Sequence, residues 1–177
     1  IYFLMIDRFN NPTAPVASTP WDGEWGGFQG GTLKGVCDRL DYLKQLGAGA
    51  LWLTPVFKNR LSDPHTYHGY GIQDFLTVDP RFGTEADLQD LVSQAHARDI
   101  YVILDMVLNH AGDIFAYDGF GDEAPWNPST YSICWRDESG SPRQDWREAP
   151  PICSPDAAVW PEELRRNENF RRRGRGG

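Results

Sequence analysis

The sequence has few cysteines and lacks long apolar runs, and each shortage excludes a class of protein. Its three cysteines are Cys37, Cys134 and Cys153, and none forms a C-x-x-C pair, so a zinc site of that type is not expected. No apolar run approaches about 18 residues, so no membrane-spanning helix is predicted and no membrane partner is expected. Cys134 and Cys153 lie in the same irregular region, where they either pair or remain separate thiols.

Basic residues are also in the minority, and their distribution is uneven. The chain has 17 Lys and Arg against 25 Asp and Glu, a net charge of −8. Six of the arginines lie in the last 13 residues with one acid, Glu168, which leaves 11 basic against 24 acidic residues elsewhere. An acidic body argues against a nucleic-acid-binding face. The run Arg171–Arg173 either binds a polyanion or is a solvated loop.

Apolar residues, by contrast, are present in the proportion that a folded domain needs. Hydrophobic residues make up 40% of the chain and aromatic residues 13%, with 7 Trp. This excludes a wholly disordered chain, because there is enough apolar surface to bury. A length of 177 residues is room for one ordinary domain.

Three short apolar runs are predicted to be strands of a parallel sheet. Ile1–Ile6, Ala50–Thr54 and Tyr101–Leu104 are almost continuously apolar, as strands buried on both faces are. Helical patterns separate them, and this alternation predicts right-handed crossovers between parallel strands. Two α/β architectures fit the pattern: a doubly wound sheet and an eight-stranded barrel.

The predicted helices lie between these strands. Apolar residues recur at helical spacing from Val36 to Leu46, where Gly47 is expected to end the helix. A second helix is predicted to begin after Thr84, whose side chain can cap its free amides. Residues 8–34 and 55–83 are predicted to be loops, and no clear period appears from residue 108 to the end.

Polar residues follow the predicted strands, where both architectures place their ligands. Carboxylates, imidazoles, an amide and an aromatic ring are expected to line one cleft: Asp7, His68, Tyr70, Asp105, Asn109 and His110. Aromatic rings offer flat faces to sugars, and the polar groups can hydrogen-bond hydroxyls. The mixture predicts a pocket for neutral, hydroxyl-rich ligands.

Several motifs resemble the alpha-amylase family of glycoside hydrolases. Asp105–His110 reads D-x-V-x-N-H and resembles the first signature of that family. Ile6–Phe9 is similar to the end of its first barrel strand, and Tyr67–Tyr70 to its sugar-stacking loop. Asp79–Thr84 resembles the entry to its second helix, and Trp160–Leu164 part of the long insert after its third strand.

The resemblance implies a fold, a domain organisation and a reaction. Residues 1–107 would form the N-terminal part of a (β/α)8 TIM barrel with about three strands, and 108–177 the start of a long irregular insert domain. The reaction would be retaining hydrolysis or transfer at alpha-glucosidic bonds. The substrate would be an alpha-linked oligo- or polysaccharide.

The resemblance also implies roles for individual residues. Tyr70 would stack on the sugar at the scissile bond, while His68 and His110 would bond its hydroxyls. Asp105 would help orient an arginine further along the chain. Asn109 resembles a calcium ligand of calcium-dependent members, so calcium is a candidate cofactor. Gly71 departs from the pattern, because many members have Trp there.

No catalytic carboxylate pair is expected within the 177 residues. Retaining hydrolysis needs a nucleophile and an acid/base about 5–5.5 Å apart. The resemblance places both on later strands, beyond Gly177, and Asp7 and Asp105 leave strands that are not neighbours in the implied barrel. These residues alone are therefore expected to be inactive. The alternative is a non-catalytic relative that binds carbohydrate or a partner protein.

Overall fold

The computed structural model describes residues 1–16, 27–147, 152 and 154–175, which form two compact units. The first unit contains Ile1–Lys58, Pro64–Tyr70 and Thr77–His110, less the residues outside those described. The second contains Asn59–Asp63, Gly71–Leu76 and the chain from Ala111 onward. No helix in the described part of the chain is long and apolar enough to cross a membrane.

The described segments contain short strands and helices, most of them under eight residues. In chain order the strands are β1 (Tyr2–Leu4), β2 (Ala50–Leu53), β3 (Phe57–Asn59), β4 (Ile72–Val78), β5 (Tyr101–Leu104), β6 (Phe115–Tyr117) and β7 (Ile133–Trp135). The α-helices are α1 (Ile6–Phe9), α2 (Leu33–Asp38), α3 (Leu40–Gln45) and α4 (Glu85–His96). Two short 3-10 helices follow at Glu162–Arg165 and Asn167–Asn169.

A three-stranded parallel sheet in the order β1–β2–β5 forms the centre of the first unit. The three predicted strands and their parallel pairing are therefore confirmed. The first strand is shorter than the predicted Ile1–Ile6, because Ile6 already begins α1. As a result Asp7, predicted to close a strand, lies in that short helix and is buried.

One face of this sheet packs against the helices. Leu4, Leu51 and Leu53 on this face are at most 4% exposed, because they meet apolar residues of α2, α3 and α4 in a single core: Val36, Leu40, Leu43, Leu91 and Ala95. Burial of a leucine side chain contributes about 1.5–3 kcal/mol. The core therefore holds the sheet and its helices together.

The helix boundaries follow local signals in the sequence. Thr84 and Asp87 form a reciprocal capping box at the start of α4, as the sequence indicates. Gly47 has a φ of 83°, which a glycine adopts without strain, and ends the preceding helical segment. The single helix predicted from Val36 to Leu46 is instead two helices, because Arg39 leaves helical geometry at ψ 13°.

Residues 55–83 are not a plain loop, contrary to the prediction. This segment contains β3 and β4, which form a two-stranded sheet. The sequence of β4 does not alternate between apolar and polar residues. Its backbone instead pairs with a distant residue: Trp160 N donates to Gln73 O at 2.9 Å, and Phe75 N donates to Trp160 O at 3.0 Å. Because this pairing joins residues far apart in the chain, the local pattern of apolar and polar residues does not indicate the strand.

The second unit is built on the antiparallel pair β6–β7, in which Ala116 lies opposite Cys134. Its core gathers residues from the whole segment, with aromatic rings packed edge to face around Trp135: Ile114, Ile133, Trp135, Ile152, Val159, Phe115 and Phe170. Cys134 is buried in β7. Its candidate partner Cys153 lies outside the described residues, so the pairing of the two cysteines stays a prediction.

A buried arginine ties the later loops of the second unit together. The Arg165 guanidinium is 1% exposed and lies 4.1 Å from the Trp160 ring centroid. Its Nε donates to the Val159 carbonyl oxygen at 3.0 Å, and Nη1 to that of Ile152 at 3.3 Å. Hydrogen bonds from the Arg165 side chain to backbone carbonyls thus stabilise this irregular segment.

The other face of the parallel sheet carries an exposed apolar row. The register places Phe3 opposite Trp52, and Trp52 opposite Ile103. Their exposed fractions are 50%, 41% and 38%. The rings of Phe3 and Trp52 touch edge to face at 5.1 Å. Three large apolar side chains side by side favour association with another apolar surface, since removing them from water is favourable.

We expect residues 1–177, expressed alone, to self-associate through this row. Trp52→Gln should lower the associated fraction, because it removes the central ring of the row. Tyr42→Gln is the matched control, since Tyr42 is also exposed, at 51%, but lies on α3. Light scattering coupled to gel filtration measures the mass. Monomeric elution with a sharp cooperative melt would contradict the prediction.

Candidate active site

The candidate site lies in the first unit, where a loop residue meets the end of a strand. Asp105 directly follows β5, and Tyr70 ends the loop that precedes β4. The Tyr70 Oη donates a hydrogen bond of 2.8 Å to Asp105 Oδ2. This bond joins residues 35 positions apart and brings together two of the predicted site residues.

His68 belongs to the same arrangement. The Tyr70 backbone N–H donates to His68 Nδ1 at 3.0 Å, and the two rings lie 5.7 Å apart at a 31° tilt. Nδ1 must carry a lone pair to accept this bond, so the ring proton of the neutral His68 is on Nε2. In the neutral ring, Nε2 is therefore the hydrogen-bond donor of His68.

Gly69 makes this close turn possible. Its φ is +85°, in the left-handed region that favours glycine. A Cβ atom at this position would lie 2.2 Å from the Pro55 carbonyl oxygen. The sequence predicts no separate role for Gly69, although a glycine between His68 and Tyr70 is typical of a turn.

His110 reaches the same loop from the segment after β5. Its Nε2 lies 3.1 Å from the Tyr70 carbonyl oxygen. A carbonyl oxygen only accepts, so Nε2 carries a proton and donates. Tyr70 is thus held at its N–H by His68, at its carbonyl by His110 and at its hydroxyl by Asp105. All four predicted sugar-site residues are brought together.

The environment of Tyr70 keeps its hydroxyl protonated. Partial burial, the hydrogen bond to Asp105 and the charge of that carboxylate together raise the pKa of Tyr70 to about 12. Each of these disfavours the phenolate, burial most of all. Tyr70 therefore remains a donor at any physiological pH.

A second set of contacts supports the neighbouring Tyr67. The Arg8 guanidinium lies 3.9 Å from the centroid of the Tyr67 ring, a cation–π arrangement. Arg8 also donates to the carboxylate of Asp7 and, at 3.1 Å, to the Gly27 carbonyl oxygen. No role for Arg8 follows from the sequence, because a side chain over a distant ring leaves no periodic signal.

Asp7 does not serve the cleft in which it was predicted to lie. It is 1% exposed and accepts hydrogen bonds from the backbone N–H groups of Gln29, at 3.0 and 2.9 Å, and Gly30, at 3.0 Å. A buried carboxylate needs such donors. Asp7 therefore anchors a loop of the first unit.

Calcium binding at Asn109 stays a prediction. Asn109, the candidate ligand, is exposed, and no group of three or more His, Cys, Asp or Glu in the described ranges is placed to hold a metal. Calcium takes six to eight oxygen ligands, mostly carboxylates and carbonyls. Nor does any described arginine form an ion pair with Asp105, the carboxylate expected to orient one from further along the chain.

Comparison with known proteins finds likeness across most of the chain. The family model described as alpha amylase, catalytic domain, matches residues 3–156. A beta/alpha-amylase of Paenibacillus polymyxa is 39% identical over 140 residues, 71% of this chain and 11% of that protein. An alpha-amylase of Streptomyces lividans is 44% identical over 99 residues, 52% of this chain and 11% of that protein.

A solved structure resembles this one as well. It is the alpha-amylase of Geobacillus thermoleovorans complexed with acarbose, with a TM-score of 0.54 and 48% identity, and the match covers 65% of this chain and 26% of that one. The chain thus spans only about a tenth of the two curated relatives and a quarter of the solved amylase.

The bond between Tyr70 and Asp105 should be measurable in the stability of the protein. Tyr70→Phe should lower the free energy of unfolding at pH 7 by about 1–2 kcal/mol, because Asp105 loses its donor. The pKa of Tyr70 is raised in the folded state, so its stabilising effect is complete below pH 10 and is lost as the pH rises towards about 12. The difference between wild type and variant should shrink over that interval.

The matched control for this change is Tyr42→Phe, which removes a hydroxyl from an exposed ring. Denaturant titrations at neutral and alkaline pH measure both variants. A cost at Tyr70 no larger than that at Tyr42, or one that does not change with pH, would show that the bond to Asp105 contributes nothing.

Proposed function

The chain belongs to the alpha-amylase catalytic-domain family, and from this premise we propose that it supplies the sugar-binding side of a retaining alpha-glucan-active hydrolase or transglycosylase. Membership identifies the β1–β2–β5 sheet as a portion of the TIM barrel, one of the two architectures that the sequence left open. Ligand-binding residues of such barrels lie at the carboxyl ends of the strands. Asp105 has this position.

The observation that carries the proposal is the network around Tyr70. Asp105, His68 and His110 hold its hydroxyl, its N–H and its carbonyl. A tyrosine held at its ring hydroxyl and at two backbone atoms meets a sugar with little conformational freedom left to lose. Preorganised contacts of this kind are what a catalytic site needs, because they cost no rearrangement when the reaction occurs.

Each residue has a role in the proposed reaction. The aromatic face of Tyr70 supports the sugar ring, and His68 donates to a hydroxyl through Nε2. His110 uses Nε2 for the Tyr70 carbonyl, so Nδ1 is the atom it offers a sugar hydroxyl without breaking that bond. The sugar flattens towards an oxocarbenium-like state, and contacts that tighten there accelerate the reaction.

Two further assignments belong to the same proposal. Residues 1–107 are the N-terminal part of the barrel, and 108–177 begin an insert after its third strand. The nucleophile and the acid/base come from barrel strands later than β5, and so does the arginine that Asp105 orients.

In the full-length protein, Tyr70→Ala and His110→Ala should lower kcat. Losing one such contact costs about 1–3 kcal/mol, which is roughly 5- to 150-fold in rate. Tyr70→Phe should retain more activity than Tyr70→Ala, because it keeps the ring and loses only the bond to Asp105. Steady-state kinetics on a maltooligosaccharide, with thermal melts of the same preparations, test this.

His96→Ala is the matched control for His110, because His96 is exposed on α4, where its ring lies 6.4 Å from that of Tyr101. If His110 merely packs its loop, the variant melts earlier with an unchanged kcat. If both variants raise KM and leave kcat normal, these residues bind substrate and transition state equally, and their proposed role is wrong.

Residues 1–177 expressed alone should not hydrolyse alpha-glucosides. The reason is chemical: no nucleophilic carboxylate stands opposite an acid/base within the proposed site, so the covalent intermediate cannot form. Hydrolysis of a nitrophenyl alpha-glucoside above a buffer blank would contradict this. Inactivity of the full-length protein as well, with sugar binding retained, would favour the non-catalytic binding relative.

A further inference from the structure

The second unit carries a groove whose walls combine arginine with aromatic rings. Two adjoining recesses, one of about 640 Å³ and one of about 340 Å³, share Phe170 and Arg171–Arg173. We call them the arginine groove. The smaller recess adds further aromatic side chains, and the larger adds one hydroxyl and one carboxylate: Phe115, Tyr117, Trp126, Thr130 and Glu168. None of these residues belongs to the Tyr70 network.

The positive charge of the three groove arginines is not neutralised by an ion pair among the described residues. Within the described part of the chain, no carboxylate forms an ion pair with Arg171, Arg172 or Arg173, whereas the neighbouring Arg175 pairs with Glu123 at 3.3 Å. The Arg172 Nε is buried and has no hydrogen-bond partner. A desolvated guanidinium N–H without an acceptor is costly, and an anionic oxygen bound there would remove the cost.

The backbone that carries the arginines is held in place. Tyr131 N donates to Arg172 O at 2.8 Å, and Asn127 N to Arg173 O at 2.9 Å. Gly174 approaches so closely that a Cβ there would lie 2.2 Å from the Pro125 carbonyl oxygen. The segment therefore lies against the loop of Trp126, and the arginines are displayed from a fixed backbone rather than from a solvated tail.

The aromatic side of the groove is equally well supported. Phe170 packs edge to face on Phe115 at 5.7 Å and on Trp135 of the core at 6.1 Å. Trp126, by contrast, is 57% exposed, so a broad flat face is open to a ligand. The exposed indole of Trp126, together with the well-packed ring of Phe170, suits a ligand with an apolar face, such as a sugar ring.

From this combination we infer that the arginine groove is an accessory binding site for alpha-glucan chains bearing phosphate monoesters. The planar guanidinium groups match the paired oxygens of a phosphate, and Trp126 stacks on the adjoining sugar. The inference rests on the proposed alpha-glucan activity for the identity of the sugar. It adds a second site and a chemical modification of the substrate that the Tyr70 network does not address.

The observations favour a phosphorylated sugar over a nucleic acid. The positive charge is confined to a few residues, while the chain as a whole carries a net charge of −8. A long polyanion would meet repulsion outside the groove, whereas a single phosphate would not. Glu168 at the edge of the larger recess also disfavours an extended run of phosphates and suits a sugar hydroxyl.

The test compares four probes by calorimetry on the full-length protein: a phosphorylated maltooligosaccharide, the same oligosaccharide unmodified, inorganic phosphate and a single-stranded oligonucleotide. The double variant Arg171→Gln/Arg173→Gln should weaken binding of the phosphorylated probe at least about tenfold and reduce its dependence on salt. Trp126→Ala should weaken the phosphorylated oligosaccharide and leave inorganic phosphate unchanged. Arg166→Gln, an exposed arginine outside the groove, is the matched control.

Each alternative has its own outcome. Equal affinity for phosphate and for the phosphorylated oligosaccharide would overturn the inference, since the aromatic wall would then contribute nothing. Tighter binding of the oligonucleotide would identify a polyanion site instead. Hydrolysis of the unmodified oligosaccharide should be the same in the arginine variant and the wild type. Its absence in both would count against the proposed function. If the wild type hydrolyses the oligosaccharide but binds the phosphorylated form no more tightly than the unmodified one, only the inference about this groove is wrong.

Discussion

The hydrogen bond between Tyr70 Oη and Asp105 Oδ2 is the contact on which the proposed site depends. It joins the loop that precedes β4 to the residue that follows β5. His68 and His110 hold the same tyrosine at its backbone. If Asp105 released the phenol, the ring would be held only through its main chain, and its face would be free to turn.

The parallel sheet places Asp105, and the two faces of the sheet differ sharply. One face is covered by α2, α3 and α4 and is completely buried at Leu51 and Leu53. The other exposes Phe3, Trp52 and Ile103 in one row. In a TIM barrel, both faces of every strand are apolar, one for the helices and one for the barrel interior. The row has the composition of an interior layer.

The second unit shows how an irregular segment acquires a fixed structure without periodic elements. Arg165 binds two carbonyl oxygens from inside the core, and Trp135 gathers the rings of Phe115 and Phe170 around it. The arginine groove is built on this aromatic core. Fixed by backbone bonds to the loop of Trp126, the run Arg171–Arg173 has a defined surface, which the composition of a basic tail does not reveal.

The sequence alone determined the features that local chemistry controls. The three strands followed from their apolar runs, the start of α4 from Thr84 and Asp87, and the family from several motifs in its order, among them Asp105–His110. Tertiary structure decided the rest. Asp7 is a buried loop anchor, β4 pairs with β3 and with the distant Trp160, and Tyr70 bonds to a residue 35 positions away. These outcomes depend on contacts between residues far apart in the chain. Periodicity in a sequence indicates helices and strands, but it does not identify which distant donor and acceptor form a hydrogen bond.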